Sequence, residues 1–160
     1  MTKMRLLALF LFCCPLAVSA QGTNLAFGAI KQDPSLPVEV QAENFSVDQN
    51  TGVAILSGNV LVAQGEMRMA APKVTIIYIE GEQRIERMEA VGGVTLVSGS
   101  DAAEAERADY NVDAGKVVMR GDVLLTQGGN ALTSQEMTID LKSGTAQMGG
   151  KVKAILLQGN

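Results

Sequence analysis

The chain has 160 residues, with 13 basic and 17 acidic side chains, a net charge of −4 and no histidine. An acidic balance argues against nucleic acid as a partner, because phosphate binding shows itself as a basic excess. Without histidine there is no common general base, no usual zinc ligand and no serine–histidine or cysteine–histidine nucleophile, so no catalytic residue, metal or cofactor is expected.

Residues 1–20 read as a secretory signal peptide. Lys3 and Arg5 give a basic start, Leu6 to Leu16 an apolar stretch, and Val18-Ser19-Ala20 a small-residue exit with cleavage expected after Ala20. The apolar run from Leu6 to Ala20 is 15 residues, short of the roughly 20 that a membrane span needs; a retained segment would instead make the chain a membrane-anchored protein. Both cysteines, Cys13 and Cys14, lie in this segment, so residues 21–160 must hold together without disulfides. Removing Lys3 and Arg5 leaves 11 basic residues against 17 acidic ones, a net charge of −6.

From Gln21 to Pro37 the chain is irregular, with Pro34 and Pro37 opposing regular pairing, and reads as a flexible leader. From Val38 a period of two takes over: Val38, Val40 and Ala42, then Phe45 and Val47, later Tyr110 and Val112, and Met137, Ile139 and Leu141, each alternating with polar residues. A phrase, Gly-x-Val followed by alternating apolar residues, starts at Gly58, Gly92, Gly121 and Gly150, at separations of 34, 29 and 29 residues. A period in that range marks an architecture whose units bury their apolar faces only against neighbours. Turn signals at Asn50-Thr51-Gly52, Gly65, Glu80-Gly81-Glu82, Gly99-Ser100-Asp101, Asp113-Ala114-Gly115, Gly128-Gly129-Asn130 and Lys142-Ser143-Gly144 separate short strands. The spacing predicts one all-β domain over 38–157, of about sixteen short antiparallel strands, with a tail over 158–160. Asp101 to Tyr110 has helix propensity, but its end aligns with Glu43 to Asp48 and reads as strand.

Aligning the repeats assigns side chains to faces. Phe45 and Val47 correspond to Tyr110 and Val112 and to Met137 and Ile139; Val60 and Val62 correspond to Val94 and Leu96 and to Val123 and Leu125. All of these are expected to point inward. Two acidic clusters, Glu104, Glu106 and Asp109, and Glu80, Glu82, Glu86 and Glu89, are expected on the solvated outer face. The last strand, Val152 to Leu157, is expected to leave Val152, Ala154, Ile155 and Leu156 as an unprotected apolar edge suited to strand addition by another copy.

The segment Pro37-Val38-Glu39-Val40-Gln41-Ala42-Glu43, with Gly58-Asn59-Val60-Leu61-Val62-Ala63-Gln64-Gly65, resembles the OstA-like family, and the resemblance runs from about Pro37 to Leu157. It implies a gutter-shaped β-jellyroll, open along one side, whose apolar interior holds the acyl chains of lipopolysaccharide. It further implies a periplasmic carrier working between inner- and outer-membrane transport components, with molecules joined head to tail. On that reading Val38, Leu96, Tyr110 and Val112 face lipid, joined by parity with Val40, Phe45, Val47, Val60, Val62, Val94, Val123, Leu125, Met137 and Ile139. Met67, Met69, Met88, Met137 and Met148 supply adaptable surface. The basic residues Arg68, Lys73, Arg107 and Lys116 are the candidates for lipid phosphates. The residues alone leave two other readings open: the anchored partner of the same pathway, and a self-assembling β-solenoid that binds no lipid.

Overall fold

The computed structural model describes residues 23–26 and 35–157; the expected signal peptide and the tail at 158–160 lie outside them. The described residues form eleven strands: β1 (Thr23–Ala26), β2 (Glu39–Gln41), β3 (Asn44–Asp48), β4 (Val53–Gln64), β5 (Met67–Tyr78), β6 (Ile85–Ser98), β7 (Asp101–Asn111), β8 (Lys116–Gln127), β9 (Asn130–Asp140), β10 (Thr145–Gly149) and β11 (Lys153–Ile155). They make one antiparallel sheet in which β4 to β9 follow one another as a meander. At one end both β2 and β3 pair with β4. At the other, both β10 and β11 pair with β9, and β1 covers β10. The stretch expected as an irregular leader thus contributes a strand at its start, with Thr23 opposite Met148 and Ala26 opposite Thr145.

The repeated phrase is the origin of the architecture. Each copy of Gly-x-Val lies inside a long strand or between two short ones, where the register slips: between Ser57 and Val60, Val91 and Val94, and Arg120 and Val123. There two consecutive residues take positive φ: Gly58 and Asn59 at 80° and 45°, Gly92 and Gly93 at 96° each, Gly121 and Asp122 at 84° and 43°, Gly150 and Lys151 at 73° and 54°. Glycine reaches that region freely, and asparagine and aspartate more easily than other side chains. The extra residue is a bulge that bends its strand sharply. This explains why eleven strands replace the sixteen expected. The expected turns are turns, but the first three Gly-x-Val phrases are bends within strands, so the strands run 11 to 14 residues from β4 to β9.

The bends stand in line and fold the sheet on itself. Tyr110, on β7, hydrogen-bonds Gln64, on β4. In a flat sheet these would be far apart. Gln64, Met67, Ser98 and Asp101 lie in one cross-strand row, and Tyr110 is nine residues further along β7 than Asp101, roughly 30 Å at strand rise. The two halves of the sheet therefore face each other, joined at the bends and meeting again at the opposite margin. Asp101 to Tyr110 is strand, as its alignment with the repeat required.

The first glycine of each bend is also covered by a neighbouring segment. A Cβ on Gly58 would lie 2.8 Å from Glu43 Cβ, one on Gly92 3.2 Å from Pro72 Cγ, and one on Gly150 2.8 Å from Gln135 Cβ. Gly121→Ala combines a left-handed backbone with a contact to Glu106, and is expected to destabilise the fold by about 1–2 kcal/mol. Gly149→Ala, with nothing near its Cβ, should change stability by no more than about 0.5 kcal/mol. Urea midpoints measure both; equal midpoints would refute the role of the bends.

Candidate functional site

Apolar side chains cross the inner face in rows that run from one edge of the sheet to the other. In one half the row is Val40, Val62, Met69, Leu96, Ala103, Leu125, Leu132 and Ala154. In the other, one row is Val47, Ala54, Ile76, Met88, Tyr110, Val117, Ile139 and Ala146, and beside it runs Phe45, Leu56, Val74, Ala90, Ala108, Met119, Met137 and Met148. Cross-strand partners share a face, so each row is a continuous apolar track eight strands long.

Nine of the residues expected inside are fully enclosed: Val60, Val62, Val94, Leu96, Tyr110, Val123, Leu125, Met137 and Ile139 are each no more than 1% exposed. Val38, Val40 and Val112 are half-buried against that core. Phe45 and Val47 share a face with the buried Leu56 and Ala54, yet are 63% and 47% exposed. Their parity is inward, but they stand in the last strand of their half, where no further strand covers them. The repeat alignment also misplaces β7 by one pair. Tyr110 shares its row with Val47, not with Phe45.

The interior is filled by its own side chains. Met67, Met69, Met88, Met119 and Met137 are all buried, and their flexible thioethers fill irregular gaps in such a core. A cleft of about 440 Å³ opens where β2 and β3 part, lined by the side chains of Val38, Val40, Ala42, Phe45, Leu56, Ile76, Tyr78 and Ile85 together with exposed backbone. The cleft opens this end of the track beside the exposed Phe45.

Polar groups gather along one margin of the mouth. Gln64, Ser98 and Asp101 are buried there, and Gln127 donates to Asp101 Oδ2 at 2.6 Å and to the Ala26 carbonyl at 2.8 Å, tying β1 to the opposite half. Gln64 Nε2 donates to the Leu36 carbonyl at 2.9 Å, and Gln64 Oε1 accepts from the Tyr110 hydroxyl. Sequence reasoning missed Gln64, although it continues the parity of Val60 and Val62. It likewise missed Met119, Leu132 and Ile76, whose alternation was legible but whose repeat equivalents were not.

The acidic clusters solvate the exterior: Glu104, Glu106, Glu80, Glu82 and Glu86 are exposed. Arg120 bridges Asp109 and Glu136 at 2.9 and 2.7 Å on the outer face, a surface network that serves cross-strand pairing. Arg68 turns onto its own chain, donating to the Gly65 and Met67 carbonyls. Among the described residues no group of three or more His, Cys, Asp or Glu is placed to hold a metal, and no helix is long and apolar enough to cross a membrane.

Burial pushes the Tyr110 hydroxyl up to about 12 from 10, opposed weakly by its hydrogen bond to Gln64. A phenol raised in the folded state adds stability below its unfolded value and loses it as pH rises through the folded one. Stability is therefore expected to fall between about pH 10 and 12, and Tyr110→Phe should remove that part of the loss. Phenolate absorbance of a Tyr78→Phe protein isolates Tyr110; ionisation near pH 10 in the folded state would contradict its burial.

The family model for the LptA/(LptD N-terminal domain) LPS transport protein matches residues 39–145. An uncharacterised protein of Rhizobium meliloti (strain 1021) is 28% identical over 148 residues, covering 86% of this chain and 80% of that one. The lipopolysaccharide export system protein LptA of Escherichia coli (strain K12) is 26% identical over 133 residues, 79% of this chain and 72% of that one. The crystal structure of LptH, the periplasmic LptA homologue of Pseudomonas aeruginosa, shares the fold with a TM-score of 0.71 at 20% identity, covering 79% of this chain and 99% of that chain.

Proposed function

Since the chain belongs to the LptA/LptD N-terminal domain family of lipopolysaccharide transport proteins, we propose that it is a periplasmic carrier that holds lipopolysaccharide acyl chains between the two halves of its sheet and passes them toward the outer membrane. The observation that carries this reading is the set of apolar rows from edge to edge, opening at one end into the cleft beside Phe45. A buried methylene contributes about 0.8 kcal/mol wherever it lies along such a track. Several acyl chains can then be held firmly by position-independent contacts and still slide. Along the apolar rows, the lining is interrupted by polar groups at Tyr110 and Gln64, at Ser98 and Asp101 beside Gln64, and at Ser134.

The expected lining residues take distinct roles on this reading. Val38, Val40, Phe45, Val47 and Val112 meet the lipid first, being reachable from solvent. Val60, Val62, Val94, Leu96, Val123, Leu125, Met137 and Ile139 exchange contacts with each other for contacts with acyl chains once the halves part. The chain supplies no energy for movement, so inner- and outer-membrane transport components are its partners at the two ends.

Transfer between molecules needs the tracks to join. Phe45 and Val47 are exposed at one end of the sheet, and Val152, Ile155 and Leu156, at 44%, 60% and 64% exposure, at the other, with Ala154 ending its apolar row. Head-to-tail addition at the β11 edge would continue that row from copy to copy.

Binding of purified lipopolysaccharide to the folded protein tests the reading. Val112→Asp places a carboxylate at the half-buried mouth and is expected to weaken binding by at least about tenfold with its urea midpoint near that of the parent. Leu96→Asp, by contrast, buries an uncompensated charge and should unfold the protein. Undiminished binding by folded Val112→Asp would overturn the assignment of the groove.

A further inference from the structure

The two halves of the sheet meet through apolar side chains, and two hydrogen-bond links cross that contact: an exposed one from Gln127 to the Ala26 carbonyl, and a buried chain of three members. The Tyr110 hydroxyl, on β7, donates to Gln64 Oε1 on β4, and Gln64 Nε2 donates to the Leu36 carbonyl. Tyr110 and Gln64 are 0% and 1% exposed. The relay joins one half to the other, and both to the segment that leads into β2. Two and four residues after Leu36 come Val38 and Val40, which line the open cleft.

Parting the halves has unequal costs along the track. Where Val, Leu and Met face one another, an acyl chain replaces contacts of the same kind and the exchange is close to neutral. Where Tyr110 meets Gln64, a hydrocarbon offers neither donor nor acceptor, and two buried polar groups lose their partner. Water can replace the exposed Gln127 link to the Ala26 carbonyl, so the resistance to opening is concentrated at the buried Tyr110–Gln64 pair. That pair is tethered to the wall of the cleft, so a chain entering between Val40 and Phe45 pushes on the segment whose carbonyl holds Gln64.

Resting on the carrier reading above, we propose that Tyr110 and Gln64 form a latch that keeps the empty trough closed, and that an entering lipid opens it by displacing the Leu36 segment. The latch sets the fraction of molecules competent to bind, and a low fraction weakens apparent affinity in proportion. It also keeps the apolar lining from water and from other copies while no lipid is present.

The test uses Tyr110→Phe, which keeps the ring and removes the donor, and Gln64→Leu, which removes the acceptor. Ser100 and Asp113 sit in the turns flanking β7, on opposite margins of the mouth, and both are exposed. Residues 21–160 contain no cysteine, so spin labels on cysteines placed at these two positions report the separation of the margins. The lipid-free parent should give one short distance. Tyr110→Phe should add a longer population and bind lipopolysaccharide more tightly, by on the order of tenfold. Gln64→Leu should act in the same direction. The double variant, with an apolar pair across the gap, should return toward the short distance.

A side chain with only a structural role would lower the urea midpoint and leave the label distance and the affinity where they were. That result for both single variants would overturn the latch. If Tyr110→Phe widened the mouth while no protein bound lipopolysaccharide, the latch would stand and the carrier reading would fall.

Discussion

Everything in this molecule depends on a backbone constraint that recurs at each bend: two successive residues held at positive φ in the middle of a strand. A sheet of strands 11 to 14 residues long would otherwise expose one whole apolar face. The paired left-handed residues at Gly58-Asn59, Gly92-Gly93, Gly121-Asp122 and Gly150-Lys151 turn every second strand through the same corner. The strands between them follow without glycine, because Pro72, Glu106 and Gln135 lie over the bends and need only conform. A single sheet thereby supplies both layers of its own core, and the edge-to-edge rows of the two halves are brought face to face.

That construction leaves two uncapped ends. A barrel would have closed the sheet and a sandwich would have capped it; this chain does neither. At one end β2 and β3 separate and uncover Phe45, Val47 and the cleft. At the other, β1 covers β10 but β11 keeps its apolar side chains in solvent. Stability comes from the middle of the trough, where burial is complete, and the carrier role proposed above falls to the ends and the mouth, where it is not. A core rich in methionine, valine and alanine and poor in aromatic rings packs densely, and its methionines are flexible enough to repack, as the proposed carrier role requires.

The inner face was legible from alternation alone, because strand parity is a local property: Val62, Leu96 and Leu125 share one row, as their places in the repeat required. Exposure was not, since it depends on what stands next in the sheet. Phe45 and Val47 have the parity of Ile139 and Met137 but belong to a terminal strand. The bends are visible in the sequence as Gly-x-Val, but a glycine followed by alternation signals a turn and a bulge equally well. Nor could parity mark Gln64 as a cross-interior contact with Tyr110. That pairing is 46 residues apart in sequence and exists only because the sheet folds. The strand at Thr23–Ala26 carries no alternation long enough to announce itself, and its place beside β10 is a tertiary choice.

The carrier reading requires acyl chains to occupy the space between the two halves. Site-specific photocrosslinking from Val112 in living cells, followed by blotting for lipopolysaccharide, tests it most directly. Val112 is half-buried at the margin of the trough and packs against the core, so a photoreactive side chain there is tolerated and looks inward. The account predicts a lipopolysaccharide adduct from Val112 and none from the outward-facing Glu104. No adduct at Val112, with filaments formed by the purified protein, would contradict it and leave a structural solenoid in its place.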